Sequence, residues 1–271
     1  MKKYLFLFLT NALLFISCSK ESQSRANSRA ITVFNQAYQE NYEKDKIPEI
    51  LVRARNAYVL IDPFQENIAQ SVADIKAHNN KVGAYISIGT GEIFRADFSK
   101  IKPFLVKKAW SRWNQEYFVN STTTGILDIM KARIDQIASW GCDWVEFDNM
   151  DWFADKKLKE EYGFQVTEEE GIAYFQALCD YVHKKGMKCM AKNTVKNAEN
   201  FDGVLYESHN YNKNWWIESD ALEFLKQGKL VIVNHYNEPD CGEAYLEYTN
   251  IYSPNLSFIC EDANLQRYVH Y

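Results

Sequence analysis

Asp143-Trp144-Val145-Glu146-Phe147-Asp148-Asn149-Met150-Asp151 reads as a short buried strand that ends in a burst of carboxylates. Trp144, Val145 and Phe147 favour a strand, and period-two alternation puts Glu146 and Asp148 on one face with Val145 and Phe147 on the other. Three carboxyl groups within so few positions repel unless one is protonated or a cation stands among them, so the cluster points to chemistry or to a metal. The plainer reading is an acidic turn, with Asp148 and Asn149 closing a loop and Asp151 capping the next helix. Taken alone, the segment supports both readings equally.

The chain on either side alternates between two periodicities. Segments 31–34, 58–61, 82–88, 187–191, 203–206, 230–233 and 256–259 read as strands, and 117–119 as a minor one. Helices are expected at 48–55, 68–77, 101–110, 126–140, 168–185, 217–227 and 242–248. With the carboxylate strand this makes eight principal strands, the pattern of a closed (β/α)8 TIM barrel in one α/β domain, residues 30–271. The connection 149–167 is the longest, and a loop of that length is usually functional or mobile.

Polar residues gather just past the strands: Asp62, Glu92, Asp148, Lys192-Asn193, Glu207, His209, Asn234-His235 and Glu261-Asp262. Each alone is an ordinary cap or loop residue. In a barrel, however, those ends converge on one face, where active sites are built.

Paired carboxyl groups across a barrel mouth suit glycoside hydrolysis, in which one stays ionised and the other donates a proton. Asp148 fits the ionised role, with Asn149 as donor and Lys192 as cation. Glu207 fits the acid, since the neighbouring Tyr206 predicts desolvation and a raised proton affinity. Trp152, Phe153, Tyr206, Tyr211, Trp215, Trp216 and Tyr236 fall in or beside strand-end loops, where rings can stack on sugars. Singly, such rings more often serve the core. Two other readings stay open: a metal-dependent hydrolase with ligands among Glu146, Asp148, Asp151, Glu207, His209 and His235, and a non-catalytic glycan-binding lipoprotein. No HxH or HExxH pair supports the metal, and no cofactor is expected.

Lys2 and Lys3, the apolar run 4–16 and Ser17-Cys18 read as an export signal, residues 1–17, too short to span a bilayer comfortably. Phe15-Ile16-Ser17-Cys18 resembles a bacterial lipobox, so Cys18 is the expected lipidated residue, followed by a polar tether to residue 29. An exported, membrane-anchored lipoprotein follows. The 271-residue chain has net charge −5, and loss of Lys2 and Lys3 makes it more acidic, which argues against a nucleic-acid partner. Beyond Cys18, Cys142, Cys179, Cys189, Cys241 and Cys260 are an odd set; all but Cys241 lie in apolar stretches that suit buried thiols, with one disulfide possible in an exported protein.

The segment 141–151 resembles the Gly-x-Asp-Gly-Val-Glu-Pro-Asp-Asn-x-Asp block of family 114 glycoside hydrolases, the endo-α-1,4-polygalactosaminidase group. Further blocks follow in order: Tyr85-Ile86-Ser87-Ile88-Gly89 with Glu92, Arg95 and Asp97; Ala191-Lys192-Asn193; Phe201-Asp202 with Glu207; and Gly228-Lys229 with Tyr236. The resemblance implies a TIM-barrel hydrolase of α-1,4-linked galactosamine-containing polysaccharide, with Asp148 as nucleophile and Glu207 as acid/base. Asp62, Glu92, Arg95, Asp97, Asn149, Asp151, Lys192, Asn193, His209, Trp215, His235 and Tyr236 are then expected to line the substrate site. Departures are Phe147 for Pro, Tyr206 and Ser208-His209 around Glu207, His235 where an acid is usual, and an opening aromatic block barely visible in 33–38.

Overall fold

β-Branched and aromatic runs separated by amphipathic helices build a nearly closed barrel. The computed structural model describes residues 30–38, 47–209, 219–262 and 267–271. The expected signal and tether, with Tyr211, Trp215 and Trp216, lie outside these. In chain order the elements are β1 (Val33–Asn35), α1 (Ile47–Arg53), β2 (Tyr58–Ile61), α2 (Ile68–Ala77), β3 (Lys81–Ser87), β4 (Thr90–Glu92), α3 (Phe98–Ile101), β5 (Glu116–Phe118) and α4 (Thr124–Ser139). Then come β6 (Trp144–Asp148), α5 (Lys156–Tyr162), α6 (Glu168–Lys184), β7 (Lys188–Lys192), β8 (Gly203–His209), α7 (Ser219–Lys226), β9 (Leu230–Glu238), α8 (Cys241–Ile251), β10 (Ser257–Asp262) and β11 (Arg267–His270).

One sheet runs in the order β1-β2-β3-β6-β7-β8-β9-β10-β11. The eight expected strands are parallel, and β11, which was not anticipated, returns antiparallel along β10. The two edges approach each other through side chains. Ile31 N–H donates to Ser257 Oγ at 2.9 Å, and His270 Nδ1–H donates to the Val33 carbonyl at 2.6 Å. The His270 ring stacks on Phe34 at 4.0 Å.

Strand alternation divides the core into two layers. Val33, Tyr58, Leu60, Tyr85, Trp144, Met190, Leu205, Ile232 and Ile259 pack together inside the barrel, whereas Val145, Phe147, Ala191, Val204, Tyr206 and Val233 belong to the outer core. Tyr58 fits only because Gly83 has no side chain: a Cβ there would meet the Tyr58 hydroxyl at 2.1 Å.

Two connecting segments depart from expectation. The helix expected at 101–110 ends at Ile101 and a 3-10 turn, Lys102–Phe104, because Pro103 lacks the N–H to continue it. Val106 N–H then pairs with the Phe118 carbonyl. The connection 149–167 is also no open loop. Asp155 caps α5 by accepting from Lys157 and Leu158 N–H, and Gly163, at φ 71°, ends it. Trp152, Phe153 and Phe164 are buried beneath it. At the turn from β3 into β4, a Cβ on Gly89 would meet the Asn149 carbonyl at 1.8 Å and the Trp152 ring at 1.7 Å. That close approach sets β4 and β5 against the end of β6.

Cys260 is not a thiol: it is bonded to Cys241, tying the start of α8 to β10, while Cys142, Cys179 and Cys189 are buried thiols. The bonded pair lies 19 residues apart. Closing a loop of that order in the unfolded chain corresponds to about 3 kcal/mol. Replacing both cysteines by serine is therefore expected to lower the urea unfolding free energy by about that amount; an unchanged midpoint would assign the clamp to packing alone.

Candidate active site

The inner faces of β6, β7 and β8 carry the charged floor of the barrel mouth. Alternation that points Trp144 inward also points Glu146 and Asp148 inward; the same rule turns in Lys192 from β7 and Glu207 from β8. The Lys192 ammonium stands among all three carboxyl groups: 3.0 Å from Asp148 Oδ1, 3.3 Å from Glu207 Oε2 and 3.4 Å from Glu146 Oε1. Side-chain exposure rises from 0% at Glu146 and 1% at Lys192 to 18% at Asp148 and 32% at Glu207, so the cluster opens towards solvent through the last two.

Neutral donors complete the arrangement. Tyr85 OH donates to Asp148 Oδ2 at 3.1 Å and Asn149 Nδ2 to the same oxygen at 3.2 Å. Tyr236 OH donates to Glu207 Oε1 at 2.8 Å. Tyr38, just after β1, donates through its hydroxyl to Glu146 and accepts from Lys192 at 2.8 Å. Asn149 and Asn193 hold their side chains in place from left-handed backbone, φ 55° and 58°, a conformation that Asn tolerates better than most residues.

These surroundings separate the carboxyls. Burial pushes Glu146 up to about 7, against the pull of Lys192. Burial acts on Glu207 in the same direction but is outweighed by Lys192, Tyr236 and Asn193, which together hold its carboxyl below the usual range. The expected rise at Glu207 is thus corrected. Its premise fails geometrically, because Tyr206 points into the outer core while Glu207 points into the barrel.

Several expected substrate contacts have other partners. Arg95 binds Glu92 through Nε at 2.8 Å and both Asp62 oxygens through Nη1 at 2.7 and 2.9 Å, forming a braced wall. Asp97 turns away to Arg133 of α4, at 2.7 Å. Asn193 Oδ1 accepts from Glu207 N–H at 2.9 Å and so fixes the β8 backbone. His235 is fully buried between barrel and helices, 2.7 Å from Glu238 and stacked with Phe258, so it does not line the mouth. Alternation predicts this, since Tyr236 is the residue that faces in. Asp151 is exposed at the rim. His209 closes β8, and Trp215 lies outside the described residues. Of the rings considered for stacking, Trp152, Phe153 and Tyr206 belong to the core.

Tyr38, Tyr85, Ser87, Thr90 and Glu116 reach the cluster without having been singled out as site residues. Tyr85 and Ser87 were legible in principle, being in phase with Gly83 on the inner face of β3. Glu116, on the minor strand β5, had no such signal. Among the described residues no three His, Cys, Asp or Glu side chains are grouped to hold a metal ion. The centre of the carboxyl cluster holds an ammonium instead.

The fold, with its charged mouth, fits the class of barrel glycoside hydrolases. The chain belongs to glycoside-hydrolase family GH114, whose family model matches residues 20–271. Aspergillus fumigatus Ega3, solved in complex with galactosamine, superposes with a TM-score of 0.66 at 18% identity, over 90% of this chain and 96% of that one. The glycoside hydrolase domain of PelA from Pseudomonas aeruginosa gives 0.59 at 14% identity, over 85% of this chain and 93% of that one. At these identities the likeness is one of fold. No curated relative matches by sequence.

The raised Glu146 carboxyl predicts a stability signature. A folded-state value above the unfolded one stabilises fully below the unfolded value and is lost as pH rises through the folded value. Between roughly pH 4.5 and 7 the folded protein should therefore lose up to about 3 kcal/mol at this site. Urea titrations at pH 5 and pH 8 should show that loss in the wild type and a clearly smaller one in Glu146→Gln; equal losses would refute the assignment.

Proposed function

We propose that the protein is an endo-acting hydrolase of α-1,4-linked galactosamine-containing polysaccharide, with Asp148 as nucleophile and Glu207 as general acid/base. The observation that carries this reading is the shared contact of both carboxylates with Lys192 at the open end of the barrel. Their Lys192-bonded oxygens can be no further apart than those two contacts laid end to end. That bound is compatible with the spacing of about 5 to 5.5 Å at which a carboxylate attacks directly.

In the first step Asp148 bonds to the anomeric carbon as the glycosidic bond breaks, and the Glu207 proton goes to the leaving oxygen. In the second, water gives a proton to Glu207 and its oxygen replaces Asp148 at the same carbon, with net retention. Three carboxyls around a single ammonium leave the mouth acidic, which favours a sugar carrying a free amine. The galactosamine bound in the Ega3 structure supports the same class of substrate. His209 and Trp215 remain proposed sugar contacts.

We also propose that the domain, residues 30–271, is exported and held on a membrane by a lipidated Cys18. The Cys241–Cys260 bond supports an oxidising compartment. Mass spectrometry of the mature N-terminus tests this.

On partly deacetylated α-1,4-galactosamine polymer, Asp148→Asn and Glu207→Gln should each lower kcat at least about a thousandfold, and NMR of the first product should show the α anomer. Because Glu207 is held low in the free enzyme and acts when protonated, kcat/KM should fall as pH rises from mildly acidic to neutral. Binding without turnover would instead make the protein a glycan-binding lipoprotein, and inversion would remove Asp148 as nucleophile.

A further inference from the structure

A line of hydrogen bonds leaves Asp148 on the side away from Lys192 and ends at a carboxyl on β5. Asn149 Nδ2 donates to Asp148 Oδ2 at 3.2 Å and to Ser87 Oγ at 3.1 Å, with a longer contact to Thr90 Oγ1 at 3.4 Å. Ser87 Oγ and Thr90 Oγ1 are 2.6 Å apart, and Thr90 Oγ1 is 2.6 Å from Glu116 Oε2. Both hydroxyls are fully buried, so each must place its one proton within this line.

The order of protons follows from the far end. An ionised Glu116 only accepts, so Thr90 donates to it, and Ser87 donates to Thr90. Ser87 Oγ is then left as an acceptor, already taking Thr90 N–H at 3.2 Å. It can face the NH₂ of Asn149 and not its carbonyl, and the second N–H of that amide points at Asp148. A neutral Glu116 can donate to Thr90 and so releases this ordering.

We propose that Glu116 is a positioning residue for Asp148, acting through Thr90, Ser87 and Asn149 to aim an amide donor at the carboxylate. The proposal rests on the reading of Asp148 as nucleophile. Its consequence for rate is that a donor held on one oxygen of Asp148 leaves the other, on Lys192, in a fixed orientation for attack. Burial pushes Glu116 up to about 7 in spite of the Thr90 hydrogen bond, so the ordering is present above neutrality and weakens below it. The charged groups facing Glu116 are Glu92 from β4 and Asp148 from β6, which raise it, and Arg95, which lowers it.

Two measurements test the line, the first independent of turnover. The side-chain amide resonances of Asn149, followed by ¹⁵N NMR between pH 5 and 9, should shift with a midpoint near neutrality in the wild type. That transition should vanish in Glu116→Gln and persist in both Glu146→Gln and Asp151→Asn, which separates it from the two other carboxyls near the site that are raised into this range. On galactosamine polymer, Thr90→Val should lower kcat at least tenfold with KM within twofold, and Thr90→Ser should recover most of that loss. A transition that survives Glu116→Gln overturns the proposal, as does a Thr90→Val enzyme within twofold of wild-type kcat. If the wild type cuts no glycan, the functional reading fails, and the amide titration alone still decides whether Glu116 orders Asn149.

Discussion

The Lys192 ammonium is the constraint on which the site depends. Three carboxyl groups converge on the inner face of the barrel, and Lys192 is the cation that lies between them. A buried carboxylate deprived of its partner costs about 3–5 kcal/mol, so the inward-facing Glu146, whenever it is ionised, depends on a cation at this height. Lys192 serves because its long stem reaches across the barrel from β7 while the ammonium accepts contacts from several directions. It lies 4.2 Å from the centre of the Tyr38 ring as well, so an aromatic face completes the shell.

One cation shared among three acids cannot treat them alike, and that inequality creates the separation of roles. Glu146 is the most buried, and desolvation outweighs its share of Lys192. Glu207 is the most open and has Tyr236 and the Asn193-fixed backbone as additional support. Asp148 sits between, with donors on both oxygens. Position along the strand thus becomes position along a gradient of solvation, and the sheet's period of two turns sequence spacing into electrostatic difference. The outer wall obeys the same physics. Arg95 binds Glu92 and Asp62 together, which leaves that side of the mouth rigid rather than available to a ligand.

The barrel was legible because strand and helix periodicities alternate without long interruption, and Asp148, Glu207 and Lys192 were legible because they lie on the inward face at or near the ends of their strands. His235 was misread for an equally physical reason. Proximity to a strand end suggests proximity to the mouth, but His235 is out of phase with the inward-facing Tyr236 and so turns outward. Arg95 and Asp97 bear the right chemistry at the right end of the barrel, but a sequence does not reveal that Asp62 and Arg133 satisfy them. β11 and Glu116 lay beyond reach because both depend on long-range closure. β11 pairs with a strand already complete in pattern, and Glu116 belongs to a hairpin whose approach depends on Gly89 lacking a side chain.

That approach shows how a distant loop can act on a reacting group without touching substrate. Ile88 N–H donates to the Asp148 carbonyl, and the glycine that follows lets the β3–β4 turn lie against Asn149 and Trp152. Ser87 and Thr90 are thereby brought into the barrel wall with no solvent to satisfy them, and their hydroxyls must bond to each other and to whatever lies at either end. Asp148 lies at one end, reached through Asn149, and Glu116 at the other. A buried chain of hydroxyls between two carboxyls has only two consistent proton orders, because each hydroxyl has one proton to give. The charge at the β5 end selects between them, so the state of Glu116 is felt at Asp148 as the direction of a dipole, without any movement of the backbone.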